Sequence, residues 1–161
     1  MAIRYIKILL ILFVALFCLL YAIQNVVNLD AAFVFVSTVL SMDGHAAYPD
    51  SLGPAITAPA LVWTALFIII LMEFAAGVLA GKGAWDMWNA RSSTAEFNAA
   101  KGTAILGCGV ALLVWFGLFS TIGGAYFQMW QTELGGASLH DSLRFTASIG
   151  VVMLFVNMAD S

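Results

Sequence analysis

Glu73 is the residue with the strongest claim to chemistry, because it stands alone near the middle of an otherwise uncharged apolar run from about Ala60 to Gly81. A charged side chain at the centre of a membrane helix costs about 2.5–3.5 kcal/mol on insertion scales, so such a carboxyl keeps its proton, finds a partner or serves a function. It suits a proton or cation site, or an anchor for a polar group on another helix. A purely structural role would have it bonded to a backbone carbonyl or to an indole across the bundle, for which Trp115 is the candidate.

Other groups offer less. His45, close to Met42 and Asp43, and the outlying Met129 and His140 are donors that copper accepts, but their spacing matches no strong metal motif. Neither histidine lies in an apolar run, so the paired histidines of a membrane haem site are absent and no cofactor is expected. Ser120, Thr146 and Ser148 have no histidine at matching depth to act as a base, so catalysis is not expected. Cys18 and Cys108 sit inside apolar runs and read as small hydrophobes.

The elements that must position these groups follow from composition. The 161 residues are 63% hydrophobic and only 9% charged, with a mean hydropathy of +1.00, which no water-soluble domain could bury. Lipid is the solvent that fits. Lys and Arg occur singly, without the basic stripe that nucleic acid binding requires. An apolar helix needs about 20 residues to cross the hydrocarbon. One domain, 1–161, is expected, with spans near 6–23, 60–81, 102–122 and 143–158. Arg4 and Lys7 before the first run also describe a secretory signal, but the run exceeds a usual signal core and no small-x-small cleavage site follows at Tyr21 to Asn28. A retained span is expected.

Basic residues in short loops remain cytoplasmic. Arg4 and Lys7 precede span one, and Lys82, Arg91 and Lys101 lie between spans two and three, whereas Arg144 is the one basic residue elsewhere. Both termini are therefore expected in the cytoplasm, and Asp30, Asp43, Asp50, Glu133 and Asp141 on an acidic outer side. In the first outer loop, Phe33, Val36 and Leu40 recur at helical spacing behind Asp30, a potential cap, predicting a short interfacial helix. Ser93 or Thr94 is expected to cap the helix leading into span three, and Gly123-Gly124 to bend its outer extension. Gly77 and Gly81 form a GxxxG step in span two, and Gly102, Gly107, Gly109 and Gly117 line span three, where absent side chains let helices approach.

Several short stretches carry a resemblance: Asn25-Val-Val-Asn, Phe33-Val-Phe-Val, Val39-Leu-Ser-Met-Asp, Glu73, Gly123-Gly and Phe127-Gln-Met-Trp-Gln131. With these the chain resembles, over nearly its whole length, a family of predicted small bacterial integral membrane proteins for which no molecular function is established. It departs from that pattern at Ala125, where an acidic residue often follows the glycine pair. The resemblance implies the four-span architecture and supplies no chemistry; Asp43, His45, Phe127, Trp130 and Gln131 stand as outer-face candidates.

The expected fold is all-α, an integral membrane four-helix bundle with a short outer interfacial helix, in a bacterial inner membrane. By elimination the expected function is a non-catalytic accessory subunit, contacting lipid and other membrane subunits or itself. The alternatives are a small proton- or cation-coupled transporter or sensor using Glu73, and an outer-face metal-binding module.

Overall fold

A computed structural model describes every residue from Met1 to Ser161. It is all-helical: α1 (Ala2–Val27), α2 (Leu29–Ser41), α3 (Pro59–Asn89), α4 (Thr94–Ala99), α5 (Gly102–Leu112) running directly into a π-helical segment (Leu113–Tyr126), a 3-10 turn (Met129–Gln131) and α6 (Glu133–Asn157). Four stretches, Ala2–Val27, Pro59–Asn89, Thr94–Tyr126 and Glu133–Asn157, are long and apolar enough to cross a bilayer. They make an integral membrane helical bundle.

Local chemistry explains the boundaries. Pro59 opens α3, where its fixed φ and missing N–H are harmless. The Ser93 hydroxyl accepts from the Glu96 N–H to start α4, while the Thr94 hydroxyl is taken by the Arg4 guanidinium. Thr132 accepts from the Gly135 N–H at 3.1 Å to start α6. Asp30 is not a cap: it lies in the first turn of α2, and Asn28 occupies the cap position while its amide donates to the Gln24 carbonyl at 2.9 Å. The chain breaks at Asn28 and continues along α3, with Val36 and Leu40 of α2 buried against Val62, Leu66 and Phe127.

The glycine pair also behaves differently from the expectation. Gly123 and Gly124 remain within the π-helical segment, facing Met129 and Leu139, and the chain turns only at Phe127 and Gln128, where Gln128 adopts φ 50°. Wider turns suit this segment's hydroxyls: Ser120 and Thr121 donate to the carbonyls of Trp115 and Phe116, five residues back, at 3.1 and 3.0 Å.

Where α3 meets α5 the contacts are made mainly by small residues, and many large apolar side chains elsewhere on the helices face outward. Ala76, Ala80 and Ala84 of α3 are buried with Ala104, Cys108 and Ala111 of α5, whereas Leu9, Phe13, Leu16, Phe67, Leu71 and Phe74 are exposed to lipid. At Gly77 an added Cβ would strike the Leu19 side chain and lie 3.0 Å from the Ala15 carbonyl, but at Gly81 only the Ala15 methyl approaches, at 3.8 Å. Of the four glycines expected to line span three, only Gly107 serves close approach, against the Ala80 backbone. Gly102, Gly109 and Gly117 face open space instead of a neighbouring helix. Gly107→Ala is therefore expected to cost about 1–3 kcal/mol through overpacking. Gly109→Ala, two residues away, is expected to be neutral or to add up to about 1 kcal/mol through helix propensity. Thermal unfolding of both variants in one mild detergent checks the contrast.

The two chain ends meet the α3–α5 connection in a buried ionic cluster. Asp160 receives Lys7 Nζ at 2.7 Å and Lys101 Nζ at 2.5 Å, and both ammoniums also donate to the Met158 carbonyl. The Asn98 side chain pairs with both the backbone N–H and the carbonyl of Asp160. Arg4 binds the Arg91 carbonyl at 2.9 Å, and its guanidinium lies over the Phe97 ring. Three of the cations expected merely to flank the bilayer, Arg4, Lys7 and Lys101, thus close the bundle from within.

Candidate functional site: a polar cavity around Glu73

Glu73 is buried on α3 with 1% of its surface exposed. Its partner is Asn25 of α1, whose Nδ2 donates to Glu73 Oε2 at 2.9 Å, rather than the Trp115 indole. No lysine or arginine bonds to it: Lys7 and Lys101 are committed to Asp160, and Arg144 pairs with Asp141 at 2.9 Å.

The carboxyl borders a cavity of about 220 Å³ to which α1, α2, α3, the π-helical segment and α6 all contribute. Tyr21 and Asn25 line it from α1 and Ser138, Asp141 and Ser142 from α6, and Phe35, Trp115, Phe119 and Phe145 complete it. Trp115 is held from two sides. Its ring lies 5.0 Å from Phe17, 5.9 Å from Tyr21 and 5.8 Å from Phe145, centroid to centroid. Its carbonyl accepts from Ser142 Oγ at 2.5 Å and from Ser120 Oγ, and the two hydroxyls lie 3.0 Å apart. The arrangement offers one buried carboxyl without a basic partner, a second carboxylate reaching the surface at Asp141, and several aromatic faces. It can hold a proton or a cation.

The sequence singles out Glu73 and Trp115, and the structure places both on this cavity; Gly77 lies one turn further along α3, where α3 meets α1. The other candidates lie elsewhere. Gln131 clasps the backbone of Tyr48, accepting from its N–H at 2.8 Å and donating to its carbonyl at 3.1 Å, while Trp130 packs edge-on against the Tyr48 ring at 5.2 Å. Phe127 is buried in the α2–α3 cluster, and Asp43 accepts from the Ser41 hydroxyl. No three His, Cys, Asp or Glu side chains converge as a metal site.

Sequence reasoning missed Asn25, Tyr21, Asp141 and Ser142 as parts of the site. Asn25 follows Gln24 at the end of an apolar run and reads as a boundary; α1 continues past it to Val27, carrying it alongside α3. The available signal is its spacing: Asn25 follows Tyr21 by four residues, so the two lie on one face of a helix.

No curated protein and no solved structure matches the chain. A family model does, over residues 3–159, and on that match, which accords with its four apolar helices, the chain belongs to the predicted small integral membrane proteins designated DUF2165.

Proposed function

We propose that the protein acts as one four-span unit that binds a proton or a cation at Glu73, as a small transporter or sensor. The single observation that carries this reading is a buried carboxyl with no basic partner, bordering a cavity that also contains Asp141. Basic residues gather at the end where the termini meet, which by the positive-inside rule is the cytoplasmic end of a bacterial inner membrane protein. The cavity then belongs to the exterior half, since Asn25, Ser138 and Asp141 lie toward the other ends of their helices.

The groups facing Glu73 are Cys18, Tyr21 and Asn25 from α1 and Asp141, with its partner Arg144, from α6. Infrared difference spectra across pH distinguish them, because thiol, phenol and carboxyl absorb separately and Asp141→Asn removes the second carboxyl. A titrating carboxyl band that survives in Asp141→Asn and vanishes in Glu73→Gln is expected. A band unaffected by Glu73→Gln would end the proposal.

A second reading, the accessory subunit, draws on α6. This is the least hydrophobic span, and it exposes His140, Asp141, Arg144 and Ser148 along its length. Charged groups within a span normally face protein or water. A membrane partner covering α6 would co-purify in mild detergent, and Arg144→Leu would release it.

A further inference from the structure

Two further spaces share walls with the Glu73 cavity: a gap of about 90 Å³ that Asn25 also lines, and next to it an apolar cleft of about 180 Å³ between α2, α3 and the π-helical segment. Phe35 and Phe119 line all three spaces, with their rings stacked 6.3 Å apart. The cleft is walled by Val36, Leu40, Ile69, Leu118 and Ile122 and carries no charged side chain. The geometry therefore sets a polar, aromatic-walled chamber beside an apolar one, with Phe35 and Phe119 as the shared walls.

Resting on the reading of Glu73 as a cation site, we infer that the cation is amphipathic: an alkylammonium whose head sits between Glu73 and the rings of Tyr21, Trp115 and Phe145, and whose tail passes Phe35 and Phe119 into the apolar cleft. Hard metal cations take six or more oxygen ligands, or keep much of their water. Here aromatic side chains, Tyr21, Phe35, Trp115, Phe119 and Phe145, make up half of the chamber's lining residues, which suits a weakly hydrated ammonium attracted by aromatic faces, and Glu73 supplies the opposite charge. The tail gains little from leaving lipid, because lipid is equally apolar. Its contribution is shape, so tail length rather than apolarity alone decides the fit. Ala65 of α3 lines the cleft but not the chamber, and Ala65→Phe would fill the tail's path while leaving the head's surroundings intact.

Calorimetric titration of the full chain in nanodiscs, corrected with empty nanodiscs, tests this with tetramethylammonium and decyltrimethylammonium as probes. Decyltrimethylammonium is expected to bind at least tenfold more tightly than tetramethylammonium. Ala65→Phe is expected to remove that advantage while tetramethylammonium binding persists, and Glu73→Gln to remove binding of both. A wild-type series of intermediate tail lengths gives an independent readout should Ala65→Phe fail to fold, since affinity is expected to rise and then level off as the cleft fills. Equal binding of both probes, each lost in Glu73→Gln, would overturn the amphipathic ligand but keep the cation site. Binding unaffected by Glu73→Gln, or no binding of either probe, would overturn the amphipathic ligand, and the first of these would remove Glu73 from the cation site as well.

Discussion

Asp160→Asn is expected to destabilise the bundle by about 3–5 kcal/mol, the cost of leaving buried charges without their counter-ion. The magnitude follows from the ratio of charges. One carboxylate, with 1% of its side chain exposed, neutralises two ammoniums that are 3% and 6% exposed, so its loss strands both Lys7 and Lys101. Asn98, which holds the Asp160 backbone, cannot replace the charge. Lys7→Met removes one of two cations from a site that still contains a neutralising pair, so it is expected to cost less than Asp160→Asn. Thermal unfolding in detergent ranks the two, and the reverse order would show that the carboxylate is not the centre of the cluster.

The same group gives the fold an acid sensitivity. Burial alone would push the Asp160 carboxyl up, but hydrogen bonds from Lys101 and Lys7 outweigh it and hold the carboxyl below the usual carboxylate range. A folded-state value lower than the unfolded one means that the stabilisation is fully present above the unfolded pKa of about 3.9 and is lost as pH falls through the folded value. Wild type and Asp160→Asn are therefore expected to converge in stability as pH drops below about 4 and to differ most near neutrality. Unfolding curves across pH check this.

Hydropathy reveals the parts of this molecule that depend on length and on the absence of charge. Four apolar runs must cross a bilayer whatever their packing, and Glu73 stands out because its surroundings contain no other charge. Partnerships between distant residues leave no comparable mark. Asp160 lies just beyond the last helix, and only the folded chain brings it to Lys7 and Lys101 from the starts of two other spans. Asn25 reads as a boundary because helices do not end where apolar runs do. The glycines of span three are alike by composition, yet Gly107 meets Ala80 and Gly109 meets nothing, a difference of helix face that depends on which neighbour packs where. The π-helical turns are likewise invisible to a period assumed to be 3.6.

Trp115 joins fold and site, and Trp115→Ala is expected to cost about 3 kcal/mol, the lower end of the range for deleting a buried aromatic side chain. The lower end applies because the unfolded helices remain in lipid, so little transfer to water is involved and the loss is one of packing. That loss is still substantial: the ring touches Phe17, Tyr21 and Phe145, and its removal leaves a void beside the existing cavity. The hydrogen bonds from Ser142 and Ser120 go to the Trp115 carbonyl and do not require the indole, so α6 should keep its register on the π-helical segment. Trp115→Phe, which preserves an aromatic face, is expected to recover most of the stability. Because Glu73 bonds to Asn25 and not to the indole, neither substitution is expected to abolish the Glu73 carboxyl band. Loss of that band in Trp115→Phe, with the fold retained, would make the indole a partner of the acid and overturn the assignment of Trp115 to packing and cavity shape.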